Sequence, residues 1–498
     1  MRQVLSCAEM RAADRYTIEE RGVPSQTLME RAGAAIAEEA EALLREDGGA
    51  SVLAVCGGGN NGGDGWCAAR LLAARGYRTA VLPVGETRSA DCAVQRAKYA
   101  GEVLAAFPAE KPDLIIDALF GTGFRGTPEG EFAAVIGAVN QSGAKVVAAD
   151  IPSGLNGDNG SFARCVKADV TVAVGELKTG LVTGRAADVC GRVVRRGIGI
   201  ELPAPPRAAL CEGSDFSPYF AKRACDSHKG SYGRAAILGG SLAYSGAPLL
   251  SAAAALRGGC GYTELCVPAE LFPHCIGKLP EAILTAAPTE GGPLACDEKF
   301  LAALCARSDA IAVGMGAGKS RPLHAVVRFL LENFAGTLIL DADALNALAA
   351  YGVSVLKKPR ACSLVLTPHP GEFARLCGES VARVRAEGAA LAQAFAAAYG
   401  CCVLLKDNVT LLADGERVRY IASGTPALAK GGSGDVLAGL LVSLAARKVP
   451  AAEAACCASY LLGRAGALAA EALGNEYSVC ARDVIAQIPR AIAEIAEK

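Results

Sequence analysis

Three aspartates in this chain stand within four residues of a glycine in settings that suit chemistry: Asp117 in "IIDALFGTGFRG", Asp150 in "AADIPSGLNG" and Asp435 in "GGSGDVLAGLL". A carboxylate so placed can cap a helix, ligate a hard cation or move a proton. The stretch "CGGGNNGGDGWCAARLL" favours the last two. From Gly57 to Gly65 it uses only Gly, Asn and Asp, far more than a plain tight turn requires. Glycine admits positive φ and close backbone approach, and a helix N-terminus attracts anions. A phosphate-bearing ligand is the expected guest. The spacing does not match G-x-G-x-x-G with a following ribose acid, so the ordinary dinucleotide fingerprint fits poorly.

The elements that must position these residues alternate. "ASVLAVCG", "YRTAVLPVG", "PDLIIDALFG", "AKVVAADIPSG", "ADVTVAVG" and "GRVVRRGIGI" read as strands separated by helical segments such as "FAAVIGAVNQSG". That order predicts a parallel sheet covered on both faces. Strand C-termini of a doubly wound sheet open on one crevice, where Asn61, Asp117, Asp150 and Ser153 can meet. Their amide, carboxylate and hydroxyl oxygens suit an alkali or alkaline-earth cation rather than zinc. The alternative is that the acids merely cap helices. "ELPAPPRAAL" then interrupts the pattern as a linker, and a second α/β series follows, giving expected domains 1–212 and 213–498.

In the second half "GMGAGKS" imitates a Walker A loop but has three residues, not four, between Gly314 and Gly318, so a P-loop ATPase is excluded. "GGSGD" entering an apolar helix is more informative. Its backbone N–H groups form an anion hole, and Asp435 is placed to act as a base, where the alternative is a simple cap. His369, between two prolines at a strand end, reads as a site residue. Asp341 and Asp343 in "LDADALN" either orient Mg²⁺ through water or cap the next helix, and both readings stay open.

Composition removes other classes. The 498 residues carry net charge −1 and no long basic run, which excludes a nucleic-acid footprint and a polybasic membrane patch. The N-terminus lacks a signal-peptide core and no 18-residue apolar span occurs, so a cytoplasmic location without membrane contact is expected. Twenty cysteines form no C-x-x-C pair and four histidines are scattered, so the thiols read as small hydrophobes rather than zinc ligands.

"GGGNNGGDG", "DALFGTGFRG" and "DIPSGLN" in that order resemble the N-terminal domain of the bifunctional NAD(P)H-hydrate repair enzymes, over residues 1 to 210. The set "AVGMGAG", "LILDADALN", "LTPHPGEFARL", "LLKDNVTLL" and "AKGGSGDVLAGLL" resembles the ribokinase-like superfamily, and with it the C-terminal dehydratase domain of the same enzymes. The resemblance implies a Rossmann-like three-layer α/β/α domain followed by a ribokinase-like α/β domain. It implies epimerisation of NAD(P)HX, the hydrate with a hydroxyl at C6 of the nicotinamide ring, and ADP-dependent dehydration of the S form to NAD(P)H, AMP and phosphate. Asn60, Asn61, Gly62, Gly63 and Asp64, with Gly121, Thr122, Gly123, Phe124, Arg125, Gly126, Thr127 and Asp150, would hold the hydrate. Asp150 would also be catalytic, and Asn61, Asp117 and Ser153 would bind K⁺. Ala247, Gly316, His369 and Asp435 would contact the hydrate in the second site, with Asp435 as base. Lys406, Asp407, Asn408, Val409, Thr410 and Gly434 would bind the nucleotide, with Mg²⁺ assisting. A homo-oligomer is the expected assembly.

The sequence departs from the family pattern at Asp407, where glycine usually follows the lysine. Ser433 stands for Thr, and Met315 and Ala317 stand for Pro and Leu. Two rivals compete with the repair reading. One is a ribokinase-like kinase of a small alcohol or vitamin precursor fused to a nucleotide-binding domain. The other is an RNA-associated scaffold, against which Asp117, Asp150 and Ser153 together speak, as does the missing basic run.

Overall fold

Valine- and isoleucine-rich runs bounded by glycine or proline become strands buried on both faces, as a covered parallel sheet demands. The computed structural model describes residues 1–496. Its strands are β1 (Arg2–Leu5), β2 (Ser51–Cys56), β3 (Arg78–Pro83), β4 (Glu102–Val103), β5 (Leu114–Ala118), β6 (Lys145–Ala149), β7 (Val170–Val174), β8 (Leu177–Lys178) and β9 (Arg192–Arg196). Seven of them form a parallel sheet in the order β4-β3-β2-β5-β6-β7-β9, while β1 pairs with β8. The order reverses between β2 and β5. Ligands of open α/β sheets bind outside the strand C-termini at such a switch point, and both the glycine-rich turn and Asp117 lie there.

Helices α1 (Cys7–Glu19), α2 (Ser25–Asp47), α3 (Asn60–Ala74), α4 (Ala90–Lys98) and α5 (Gly130–Gln141) accompany the sheet. A capping box starts α1: the Ser6 hydroxyl accepts the Glu9 N–H at 3.1 Å and the Glu9 carboxylate accepts the Ser6 N–H at 2.8 Å. This fixes where α1 begins, and so which way its Asp14 points. The first compact unit spans Arg2–Ala208.

The second unit begins at Ala209. Its strands are β10 (Ala208–Leu210), β11 (Arg234–Leu238), β12 (Tyr262–Pro268), β13 (Ile283–Ala287), β14 (Ala310–Val313), β15 (Thr337–Leu340), β16 (Ser363–Leu366), β17 (Cys402–Leu405), β18 (Thr410–Ala413) and β19 (Val418–Ile421). The order β13-β12-β11-β14-β15-β16-β17 is parallel and reverses between β11 and β14. Then β17, β18 and β19 run antiparallel. The helix Ser433–Ala446 is buried from Val436 onward. It crosses the helix Gly246–Gly258 so closely that a Cβ on Gly439 would stand 2.0 Å from the Ser251 carbonyl oxygen.

Two details differ from the sequence reading. The glycine-rich "turn" is only Gly57–Gly59, because Asn60 to Asp64 already form the first turns of α3. The run "CCVLLKDNVTLLADG" is a hairpin, whose connection, residues 406–409, carries four of the residues expected to bind the nucleotide. Most cysteines are buried free thiols. Among the described residues no helix is long and apolar enough to cross a membrane.

Two candidate active sites

A cavity of about 840 Å³ opens at the first switch point. Its floor is backbone. A Cβ on Gly58 would meet the Glu86 carbonyl oxygen at 1.8 Å, and one on Gly62 the Gly57 carbonyl oxygen at 1.8 Å. Only glycine lets β2 turn this tightly into α3. Asn60, Asn61, Asp64, Gly121, Thr122, Gly123, Phe124, Arg125 and Asp150 line the space. Gly62 and Gly63 lie beneath the wall, packed on Gly57 and Met29, and Gly126 and Thr127 lie outside it.

Behind the wall, Asp117 is fully buried. It accepts the Ser153 hydroxyl at 2.6 Å and the Ser153 N–H at 2.8 Å, while the Ser153 oxygen accepts the Phe120 N–H at 2.9 Å. The Asn61 amide donates to the Phe120 carbonyl at 3.0 Å, so Asn61, Asp117 and Ser153 share one neighbourhood. Burial raises the Asp117 carboxyl to about 6 despite the Ser153 hydrogen bonds. Among the described residues no lysine or arginine pairs with it. An all-oxygen set around a buried acid without a counter-charge fits a bound monovalent cation.

Asp150 adopts φ 66°, a left-handed conformation strained for a non-glycine residue. Its carboxylate accepts the Val174 N–H at 3.1 Å and forms an ion pair with Lys178, whose ammonium also donates to the Val174 carbonyl. Lys178 is fully buried at the end of β8. Asp14 from α1 joins this group, as does Asp64 from α3, and all four residues line the cavity. Burial raises Asp14 to about 6, with Lys178 pulling the other way and Asp150 adding to the rise. Burial, then the Asp150 and Asp14 carboxylates, pushes Asp64 well above the usual carboxylate range. Sequence reading missed Asp14 and Lys178. The available signal was an acid on the Met10–Asp14–Ile18 stripe, which faces the cavity at helical spacing.

In the second unit, Ala247 and Gly316 approach one another at the switch point: a Cβ on Gly316 would stand 3.1 Å from Ala247 Cβ. Gly314, Gly316 and Gly318 all have positive φ. Asp341, buried at the end of β15, accepts the Thr367 hydroxyl at 2.7 Å and the Lys406 ammonium at 2.7 Å on Oδ1. Its Oδ2 faces Gly434, 3.9 Å from where a Cβ there would stand. Asp343 instead braces the glycine loop, accepting the Gly318 N–H at 2.8 Å. Asp435 lies in the first turn of its helix behind Gly432 (φ 101°), and Ser251 donates to its carbonyl at 2.8 Å. Burial, then the Asp341 carboxylate, lifts Asp435 to about 6 against the pull of Lys406. For Lys406 burial would lower the pKa, but Asp341, Glu372 and Asp435 outweigh it and the pKa is raised. Asp435, Asp341 and Lys406 therefore form one electrostatic group.

His369 caps the helix Pro370–Cys377, its Nδ1 accepting the Gly371 N–H at 3.0 Å. Burial and then Lys406 lower its pKa, so the half-exposed ring stays neutral with its proton on Nε2. Asp407 is partly exposed, accepts the Asn408 N–H at 2.9 Å and faces Arg385 at 3.9 Å. The basic partner offsets part of the charge that the departure from glycine adds. Asn408 accepts the Val409 N–H at 2.9 Å, and Ser433 donates to the Leu428 carbonyl at 2.8 Å, a bond that threonine would also make.

Known proteins match along the whole chain. The family model described as NAD(P)H-hydrate dehydratase matches residues 235–490, and that of the YjeF-related protein N-terminus matches residues 25–180. The chain is 38% identical to the bifunctional NAD(P)H-hydrate repair enzyme Nnr of Pyrobaculum aerophilum, across 99% of this chain and 98% of that protein. This chain belongs to the bifunctional NAD(P)H-hydrate repair enzymes. The repair enzyme Nnr of Hyperthermus butylicus is also 38% identical, over 95% of this chain and 89% of its own. A solved ribokinase-like superfamily protein from Enterococcus faecalis superposes with TM-score 0.51 at 22% identity, covering 60% of this chain and all of its own, and shows the fold. An NAD(P)H-hydrate repair enzyme carries two activities, epimerase and dehydratase, and the small-alcohol kinase alternative is set aside.

Proposed function

We propose that residues 1–212 interconvert the R and S hydrates of NADH and NADPH, and that residues 213–498 dehydrate the S form at the expense of ADP. The observation that carries this reading is Asp435, lifted to about 6 at the start of a glycine-entered helix beside the Asp341–Lys406 pair. The free N–H groups of the first turn offer a hole for a transferring phosphoryl group. Hydroxide is a reluctant leaving group, since the pKa of bulk water is about 15.7. A phosphate ester departs as a group whose second pKa is about 6. Asp435 takes the proton of the C6 hydroxyl as its oxygen attacks the terminal phosphorus of the nucleotide. The C6–O bond then breaks with its electron pair leaving on phosphate, pushed by the ring-nitrogen lone pair, and loss of the C5 proton to water completes the double bond. Lys406, 2.7 Å from Asp341, holds the departing phosphates' charge.

Asp341 Oδ2, facing Gly434, would hold Mg²⁺ through water, which would neutralise nucleotide phosphate charge. Asn61, Asp117 and Ser153 would hold K⁺, which would fix the loop after β5 and favour the ionised Asp117. Ala247, Gly316 and neutral His369 orient the hydrate in the second site, and residues 406–410 cradle the nucleotide. In the first site the strained Asp150 faces the ligand at the switch point and exchanges a proton with the C6 oxygen. Mixed hydrate epimers incubated with the protein, K⁺, Mg²⁺ and either ADP or ATP, followed by near-ultraviolet absorbance, test the reading. Full recovery of the dihydronicotinamide chromophore with ADP is expected. Accumulation of a stable phosphorylated hydrate, or recovery without nucleotide, would overturn it.

A further inference from the structure

Asp150 alone gives epimerisation one carboxyl, yet the reaction moves two protons. Inverting C6 by loss and recapture of water requires a donor for the departing oxygen and an acceptor for the water that arrives on the other face. The cavity wall supplies a second carboxyl from another element. Asp14 of α1 lines the same space as Asp150 at the end of β6, near enough for each charge to act on the other, with Lys178 acting on both. We propose that Asp14 is the second catalytic carboxyl of epimerisation, working with Asp150 as an acid–base pair whose roles Lys178 assigns. The inference rests on the reading of the first unit as the epimerase.

The asymmetry of the pair supports the roles. Lys178 is ion-paired with Asp150, donates to the Val174 carbonyl and is fully buried, so its charge is committed to the Asp150 side. Asp14 makes no ion pair with Lys178 and is lifted by burial, with Asp150 adding to the rise. Two neighbouring carboxyls, one tied to a lysine and the other lifted by burial, are the pattern of an acid and a base. In one direction Asp14 gives its proton to the C6 hydroxyl, the C6–O bond breaks with the electron pair leaving on water, and the ring nitrogen's lone pair forms the C6–N double bond. A second water adds to C6 from the other face and gives its proton to Asp150. The reverse direction exchanges the roles, and Asp64, which both acids push upward, lines the same cavity.

The test uses the full chain, purified R and S hydrates of NADH, and K⁺, with interconversion measured after the uncatalysed rate is subtracted. Asp14→Asn should lower interconversion by about 10²–10⁴-fold, with hydrate affinity unchanged. Nucleotide-dependent dehydration of the S hydrate by the same variant should run at the wild-type rate, because it belongs to the second unit, and the unchanged hydrate affinity reports a folded first unit. Asp14→Glu should recover part of the loss, which a purely structural role would not allow. In H₂¹⁸O the wild type should place one label at C6 per inversion. An Asp14→Asn protein that interconverts the epimers at the wild-type rate overturns the inference, as does one that fails only through lost binding. Inversion without label also overturns it, since the oxygen would then never leave. Wild-type protein that does not interconvert the epimers at all overturns the epimerase reading itself.

Discussion

Replacing Asp435 by asparagine should abolish dehydration and at the same time stabilise the second unit, and the two effects share one cause. Burial first, then Asp341, lifts this carboxyl to about 6, whereas an unfolded aspartate titrates near 3.9. The folded state therefore binds the proton more tightly than the unfolded one. The stability associated with that proton is complete below the unfolded pKa and is lost as pH rises through about 6. At pH 7.5 the ionised group costs the fold about 3 kcal/mol, falling to about 1.5 kcal/mol at pH 5. Asparagine removes the charge but also forfeits about 0.3–1 kcal/mol of attraction between an acid and the helix N-terminus. A net gain of about 2 kcal/mol at pH 7.5 is expected, shrinking by more than half at pH 5. Thermal unfolding of the full chain at both pH values measures it, following the transition that ADP raises, because a ligand stabilises the unit that binds it. Turnover should fall by about 10²–10⁴-fold through loss of the base. Wild-type turnover should fall about tenfold per unit as pH drops below 6, since the base must be ionised. A variant that keeps its turnover refutes the assignment of the base. A stability difference that does not change with pH refutes the account of its environment.

Lys406→Met should leave Asp341 buried and unpaired, costing about 3–5 kcal/mol and most nucleotide affinity, read by calorimetric titration with ADP, while epimerisation in the first unit continues. Exchanging K⁺ for Li⁺, or Asp117→Asn, should slow epimerisation and leave dehydration of purified S hydrate unchanged, because the Asn61–Asp117–Ser153 oxygens belong to the first site alone. Asp407→Gly should tighten ADP binding by a few-fold at low salt, with the gain fading at high ionic strength because the carboxylate is partly exposed and screened.

Backbone requirements were the most legible part of the sequence. Nine residues of Gly, Asn and Asp after an apolar run can serve little but close approach, and Gly58 and Gly62 each leave no room for a Cβ. The alternation of strand and helix likewise gave the parallel sheets. The start of α3 was not legible, because Asn and Gly are poor helix formers and tertiary packing holds Gly62 and Gly63 in the helix. The hairpin at residues 402–413 was hidden for a related reason: "KDN" is a turn, but the apolar runs on either side read as one strand. Asp14 and Lys178 were the hardest to see. Asp14 is one of several acids in a charged helix, and Lys178 lies 28 residues beyond the aspartate it pairs with. Only the end of β8 brings that lysine beneath the strained turn at Asp150. Asp341 and Asp343, equal in the sequence, separate in the structure because one faces Lys406 and the other faces the Gly318 N–H.

Both units reach the same electrostatic device by different routes. In the first, the Lys178–Asp150 ion pair adjoins Asp14, whose carboxyl lies at about 6. In the second, the Lys406–Asp341 pair adjoins Asp435, also at about 6. A lone buried carboxylate beside a phosphorylated ligand would be driven to protonate, and a lysine on the neighbouring acid limits that rise. The acid beside each pair is left near the pH at which the proposed proton transfers run. In the proposed reading, the acid beside each ion pair acts on the oxygen of the same hydrated ring.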